Sequence, residues 1–353
     1  MLFKKFTDTL SLSDGKKDNF GTVVSKQLPN RGFWLEGMTI SASVKTDGSA
    51  VSGYAPDCLF GLCRNITLTV DEGPDGKRDC VNAEGAGIAE YERQVFGNRD
   101  YDSLSWQGVT AATWFHMQHN IWFAHPELRE PYKTYCALPL PRYATPPLLN
   151  VSIPTRASIA NTFTADLTYP GVKLDLTLHY ASVIDPTNTF PHWKSELRTT
   201  SLPWGRTGNV TLDQIAQGGL LTGFTLIDYG SGRSTGYSRT WSLADEYNDT
   251  YGIEYQGRTV FRDTPMARVH MNQLSAIPMT NAGLGVLHYD LIGDMTQTDT
   301  FALRSAWPLD ATALAGGQMR ITGSNIANSA AITTMTTHKL LIPQSITQQV
   351  SGV

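Results

Sequence analysis

The chain has 353 residues, 41% of them hydrophobic and 17% charged, with a net charge of −4 at pH 7. A single core stops growing below this length, so two domains are expected, and the slight acidity argues against direct nucleic-acid binding, which needs clustered Lys and Arg. Cys58, Cys63, Cys80 and Cys136 lack paired C-x-x-C spacing, no apolar run reaches the ~18 residues of a bilayer span, and the first residues lack a signal peptide's apolar stretch, so buried thiols and synthesis in a reducing cytoplasm are expected.

The chain opens with Leu2, Phe3, Phe6 and Leu10 at i, i+1, i+4 and i+8 beside Lys4 and Lys5. That spacing predicts a short helix with an apolar face and a basic edge, suited to a membrane surface or a neighbouring subunit. Below about 12 residues such a helix is marginal in water, so it should order only against a partner. After the turn "LPNRG" comes "GFWLEGMTI" from Gly32, read as a strand, and "NITLTV" from Asn65 is a second. "NAEGAGIAEYERQVFG" predicts a helix, with Asn82 as N-cap and Ile88, Tyr91 and Val95 on one face. In "WFHMQHNIWFAHPE" the His-x-x-His pair could bind metal on a helix. As a strand, however, Phe115, Met117, His119, Ile121 and Phe123 share one face and His116 takes the other, leaving His125 beyond, and the strand reading is preferred. "LLNVSI" from Leu148 and "VKLDLTLHYASV" from Val172 complete the first half, the latter with Leu174, Leu176, Leu178 and Tyr180 on one side.

Residues 186–208 are Pro-rich, alternate little, and read as a linker. The second half then repeats a phrase: "GGLLTGFTL" from Gly218 matches "GFWLEGMTI" at Gly32/Gly218, Leu35/Leu221, Gly37/Gly223 and Thr39/Thr225, an offset of 223 − 37 = 186. Glycine there implies a bulge or a close backbone approach. "GSGRSTG" from Gly230 lacks the strand-to-helix context of a phosphate loop and reads as a turn, while "SLADEYNDTYG" from Ser242 is a weaker helix candidate. "YGIEYQGRTVF" and "GQMRITG" are further strands. Two looser parallels accompany the phrase: "RNITLTVDEGPDGKRDCV" with "YGIEYQGRTVFRD", and "CALPLPRYATPPLLNVSI" with "SAWPLDATALAGGQMRIT". Many short strands between turns predict an all-β protein of two tandem sandwiches, with short helices in loops. No nucleophile elbow, H-E-x-x-H or kinase signature is present, and acidic neighbours such as Asp245 and Glu246 read as surface carboxylates, so no catalytic, cofactor or metal residue is assigned.

The repeated Gly-x-x-Leu-x-Gly-x-Thr strand, "GLCRNITLTVDEG" leading into "NAEGAGIAEYERQ", and a Pro-rich turn before a strand together resemble the double jelly-roll major capsid proteins. These build tailless icosahedral viruses, many with an internal membrane, in the lineage of tectivirus-like phages and adenovirus hexon. The resemblance implies a homotrimer whose six lobes tile like a hexagon. It also implies neighbouring trimers and penton or minor capsid proteins as partners, an internal membrane where the virus has one, and a location in the virion after synthesis in the host cytoplasm. Residues 1–19 would then be an arm facing the virion interior, 20–185 the first jelly-roll, 209–345 the second and 346–353 a tail. Two other readings compete: a two-sandwich glycan-cleaving hydrolase of the peptide N-glycosidase kind, and a glycan-binding module of a spike or fibre, in which Trp193 or Trp204 would stack on sugars.

Overall fold

The computed structural model describes residues 5–12, 18–49, 52–54, 60–96, 112–124, 132–162, 171–183, 192–203, 205, 208–212, 220–228, 250–255, 258–265, 286–290, 309–310, 319–326 and 332–341. The first half contains β1 (Lys5–Ser11), β2 (Val23–Gln27), β3 (Trp34–Lys45), β4 (Ser52–Tyr54), β5 (Asn65–Asp71), β6 (Lys77–Glu84), helix α1 (Gly85–Phe96), β7 (Trp114–Trp122), the single-turn α2 (Tyr132–Tyr135), β8 (Leu138–Pro139), β9 (Leu148–Ser152), β10 (Ala160–Thr162) and β11 (Lys173–Ala181). The second half contains β12 (Lys194–Pro203), β13 (Gly208–Leu212), β14 (Leu220–Asp228), β15 (Thr250–Tyr255), β16 (Arg258–Pro265), β17 (Val286–Asp290), β18 (Leu309–Asp310), β19 (Met319–Ile326) and β20 (Ile332–Leu341).

Period-two patterning explains the clearest strands. Leu174, Leu176, Leu178 and Tyr180 of β11 are fully buried while Lys173 is exposed and Asp175, Thr177 and His179 are half-buried on the opposite face. In β7, Phe115, Met117, His119 and Ile121 point inward and His116 outward, the strand arrangement and not the helical one. One sheet runs β1-β11-β3-β7, with β8 against the start of β3; the facing layer runs β6-β5-β9-β2. Leu35, Met38 and Ile40 from the first and Ile66, Leu68, Leu149 and Val151 from the second meet in the main core.

The second half reproduces this plan strand for strand. Its sheets run β12-β20-β14-β17, with β18 against the start of β14, and β16-β15-β19-β13. The two looser sequence parallels therefore fall on equivalent places: the β5–β6 hairpin corresponds to β15–β16, and β8 and β9 to β18 and β19. What joins the halves is β12, which pairs along its length with β20 and, in parallel, with β6 through Leu197–Val81 and Arg198–Asn82.

Three expectations are corrected. Residues 5–11 form a strand, not a helix, at the edge of the sheet among the described residues: Phe6 and Leu10 sit four apart in either geometry, and pairing with β11 turns both onto the core while Thr7 and Thr9 face outward. Leu2, Phe3 and Lys4 lie outside the described residues. The supposed linker contains β12, whose hydrogen-bonding partners come from both halves, so its few apolar residues, chiefly Leu197 and Leu202, suffice. Helix α1 begins at Gly85, and Asn82 is no N-cap: it is a β6 residue opposite Thr67, its side-chain oxygen accepting from Asn65 Nδ2 at 3.3 Å.

Candidate functional site

The repeated phrase marks a bulge in each half. Leu35 lies opposite Tyr180 and Gly37 opposite His179, leaving Glu36 as the extra residue; Leu221 lies opposite Lys339 and Gly223 opposite His338, leaving Thr222 as the extra residue. A Cβ on Gly37 would come within 2.6 Å of the Trp122 ring and 2.7 Å of the Ile121 carbonyl, so close approach explains that glycine. Gly32 has another cause, a φ of +74° with open space around it. Gly218 lies outside the described residues, Leu35 is fully buried, and Leu221 occupies the matching ladder position.

Thr39 and Thr225 begin a ladder that sequence reading missed. Across three strands the register aligns Thr9–Thr177–Thr39 in the first half and Thr199–Thr336–Thr225 in the second. The cross-strand hydroxyl pair is the same in each: Thr9–Thr177 at 3.4 Å and Thr199–Thr336 at 2.8 Å. A histidine follows in both final strands, so Thr-x-His at Thr177/His179 and at Thr336/His338 was the available sequence signal. Near the first ladder, Thr39 donates its one hydroxyl proton to Asn120 Oδ1 at 2.7 Å and therefore accepts from Nε2–H of His179 at 2.9 Å. Burial lowers the His179 pKa, and its ring lies 4.8 Å from that of Trp122.

The two ladders differ in what covers them. The second lies beneath α1 of the first half, with Thr225 and Thr336 buried and Thr199 half-buried: the Glu84 backbone N–H donates to Thr199 Oγ1 at 3.1 Å, Tyr91 lies 5.9 Å from His338, and Gly87 sits against Thr336 and Thr199, where a Cβ would collide with the Thr336 hydroxyl. Helix α1 also meets the edge of β7, where the Asn120 N–H donates to Glu92 Oε2 at 2.9 Å. Leu197 and Ile227 join the first half's core cluster, so the halves share apolar packing. An ion-pair group fastens the same junction. Arg78 pairs with Glu72 at 3.1 Å and donates to the Ser195 carbonyl at 2.9 Å, and Lys194 reaches Glu72 at 2.5 Å. Burial pushes the Glu72 carboxyl up, but Lys194 and Arg78 more than offset this and leave it below its ordinary value. Lys339, in register with Glu196, is lowered by burial, which Glu196 opposes. Beside the junction His192 packs its ring 5.9 Å from that of Trp34; burial first, then Arg78, Arg142 and Lys194, lowers its pKa to about 3.

Other candidate residues do not converge on this surface. Lys5 pairs with Glu36 at 3.2 Å at the sheet edge. Cys63, Cys80 and Cys136 are separately buried, and desolvation pushes each thiol up to about 12, so they are protonated side chains of the interior; Cys58 lies outside the described residues. Among the described residues no cluster of His, Cys, Asp and Glu has the makings of a metal site. Trp193, named for sugar stacking, is instead buried against Tyr135, and Trp204, His125, Asp245, Glu246 and the Gly230 loop are outside the described residues.

No family model and no curated protein matches the sequence. Solved structures do match, over nearly the whole chain. The major capsid protein of Sulfolobus turreted icosahedral virus aligns with a TM-score of 0.62 at 11% identity, covering 99% of this chain and 100% of that one. The fold is the double jelly-roll. Two further solved structures of this fold align similarly: the PBCV-1 virus capsid (TM-score 0.61, 11% identity, 96% and 94% of the two chains) and the major capsid protein P2 of bacteriophage PM2 (0.55, 12%, 96% and 98%). Within the double jelly-roll, the Thr-x-His ladders lie on equivalent outer faces of the two lobes.

Proposed function

We propose that the chain is a major capsid subunit, three copies of which form a pseudo-hexagonal tile of an icosahedral shell. The observation that carries this reading is the duplication: equivalent sheets, equivalent bulges and equivalent ladders make two similar lobes in one chain, on a fold whose solved neighbours above are viral capsid proteins. Three such chains present six similar lobes, which a threefold assembly needs for hexagonal tiling and which a catalytic site does not require. The first lobe runs from β1 to β11 and the second from β12 to β20, so the division falls between Ala181 and Lys194. The subunit's role is structural, its partners are further copies of itself, and its location is the virion. The burial of Trp193 removes one of the two aromatics that the glycan-binding reading relied on. Native mass measurement with negative-stain imaging of the purified protein tests the proposal: trimers of hexagonal outline are expected, and a protein that stays monomeric at all accessible concentrations would overturn it.

A further inference from the structure

The second lobe's outer face is covered by α1, and the first lobe's equivalent face is more exposed, most of all along β1. Beneath α1, Thr225, Thr336 and His338 are buried and Thr199 is half-buried, while in the first lobe Thr7 and Thr9 are exposed, Thr177 and His179 are half-buried and Thr39 is buried. The edges differ in the same way. β12 pairs on its outer side with β6 of the first lobe, whereas its counterpart β1 pairs only with β11 among the described residues. The counterpart of β6 is β16, which pairs only with β15 among the described residues. Among the described residues each chain thus has one joined edge pair of a given type and one unjoined pair of the same type.

Residue chemistry follows coverage. Aligned through the two histidines, Leu197 of the covered face is replaced by Thr7 in the open one, and Ile227 by Ser41, while the ladder threonines and the histidine are kept. A face that stays buried within the chain can carry leucine and isoleucine. One that is wet until a partner arrives must remain soluble, yet it retains the hydroxyl pattern that a packed partner meets.

We propose that the first lobe's outer face and the β1 edge dock the second lobe of another copy of this chain, with β1 running parallel to β16 of that copy and the contact centred on Thr7 and Asp8. These two residues occupy the places of Leu197 and Arg198, the pair through which β12 joins β6. The junction between subunits then repeats the junction within the subunit, a head-to-tail contact that closes into a ring when three copies complete the turn. The inference rests on the trimeric reading above and adds the surface by which the trimer forms.

The test combines the double variant Thr9→Arg, Thr177→Arg with amide exchange on the wild-type protein. Both threonines lie on the open face, so the variant should stay folded, with its circular dichroism retained, and run as a monomer at concentrations where the wild type is a trimer. In the wild-type trimer, residues 5–11 and 258–265 should exchange more slowly than in subunits dissociated by dilution. A folded variant that still trimerises sinks the docking surface and leaves the trimer standing, as does equal exchange of both strands in trimer and free subunit. Should the variant fail to fold, the exchange comparison alone decides. A wild-type protein that never trimerises removes both proposals together.

Discussion

Single residues in this chain are explained by what stands opposite them in a ladder. Gly37 and Gly32 open the same strand for unrelated reasons, one because Trp122 and the Ile121 carbonyl leave no room and the other because its φ is positive. Gly37→Ala is expected to cost about 1 to 3 kcal/mol, the usual range for overpacking, because a backbone carbonyl cannot yield as a flexible side chain can. Gly32→Ala should cost about 1 kcal/mol, at the lower end for a residue held at positive φ; chemical denaturation of the two variants would rank them. His192 makes a pH prediction. Its pKa is about 3 in the folded chain against 6.5 unfolded, so between those values the unfolded chain binds the extra proton and stability falls as pH falls. Glu72, held below its ordinary value, adds to the loss at still lower pH. Denaturation at pH 7 and pH 4.5 should show a smaller acid loss in His192→Gln than in wild type, and identical losses would assign the effect elsewhere.

At the scale of elements, the N-terminal strand is the most consequential correction. Phe6 lies 4.4 Å from Phe33 and 5.0 Å from Tyr180 between ring centroids, and Leu12 donates its N–H to the Leu174 carbonyl at 2.9 Å. Such a segment belongs to the lobe and is no detachable arm. Deleting residues 1–12 should uncover the edge of β11 and the apolar faces of Phe33 and Tyr180, lowering the thermal midpoint by several degrees and increasing aggregation. A truncated protein with an unchanged midpoint would return the segment to the status of an arm. The period-two pattern and the period-3.6 pattern coincide at Phe6 and Leu10, and only the partner strand separates them.

Across the whole molecule, the two lobes are fused and not merely tethered. A sheet continues from one into the other through β12 and β6, α1 of the first lobe lies on the second, and Leu197 and Ile227 pack into the first lobe's cluster. Calorimetry of the free subunit should therefore give a single unfolding transition. Gly87→Val puts two methyl groups against Thr336 and Thr199, forces α1 off the second lobe, and should split that transition in two. A single transition at an unchanged midpoint would show that α1 does not couple the lobes.

Much of each lobe was legible from local pattern. Alternation in β11 and β7, the turn residues between strands, and the helix from Gly85 depend on near neighbours in the chain, and the phrase at Gly37 and Gly223 marked equivalent strands because the same bulge requires the same residue types. The looser pairing of the two hairpins was legible because glycine punctuates both turns, at Gly73 and Gly76 in one and at Gly257 in the other. By itself, then, the sequence determined an all-β duplicated chain. The tertiary structure alone decided that residues 5–11 are a strand, that 194–203 bridge the lobes, and that Thr225, Thr336 and His338 are buried while Thr9 is exposed and Thr177 and His179 are half-buried. The reason is physical: a strand's pairing edge and a sheet's outer face are satisfied by residues more than a hundred positions away, and identical local sequences meet different surroundings there.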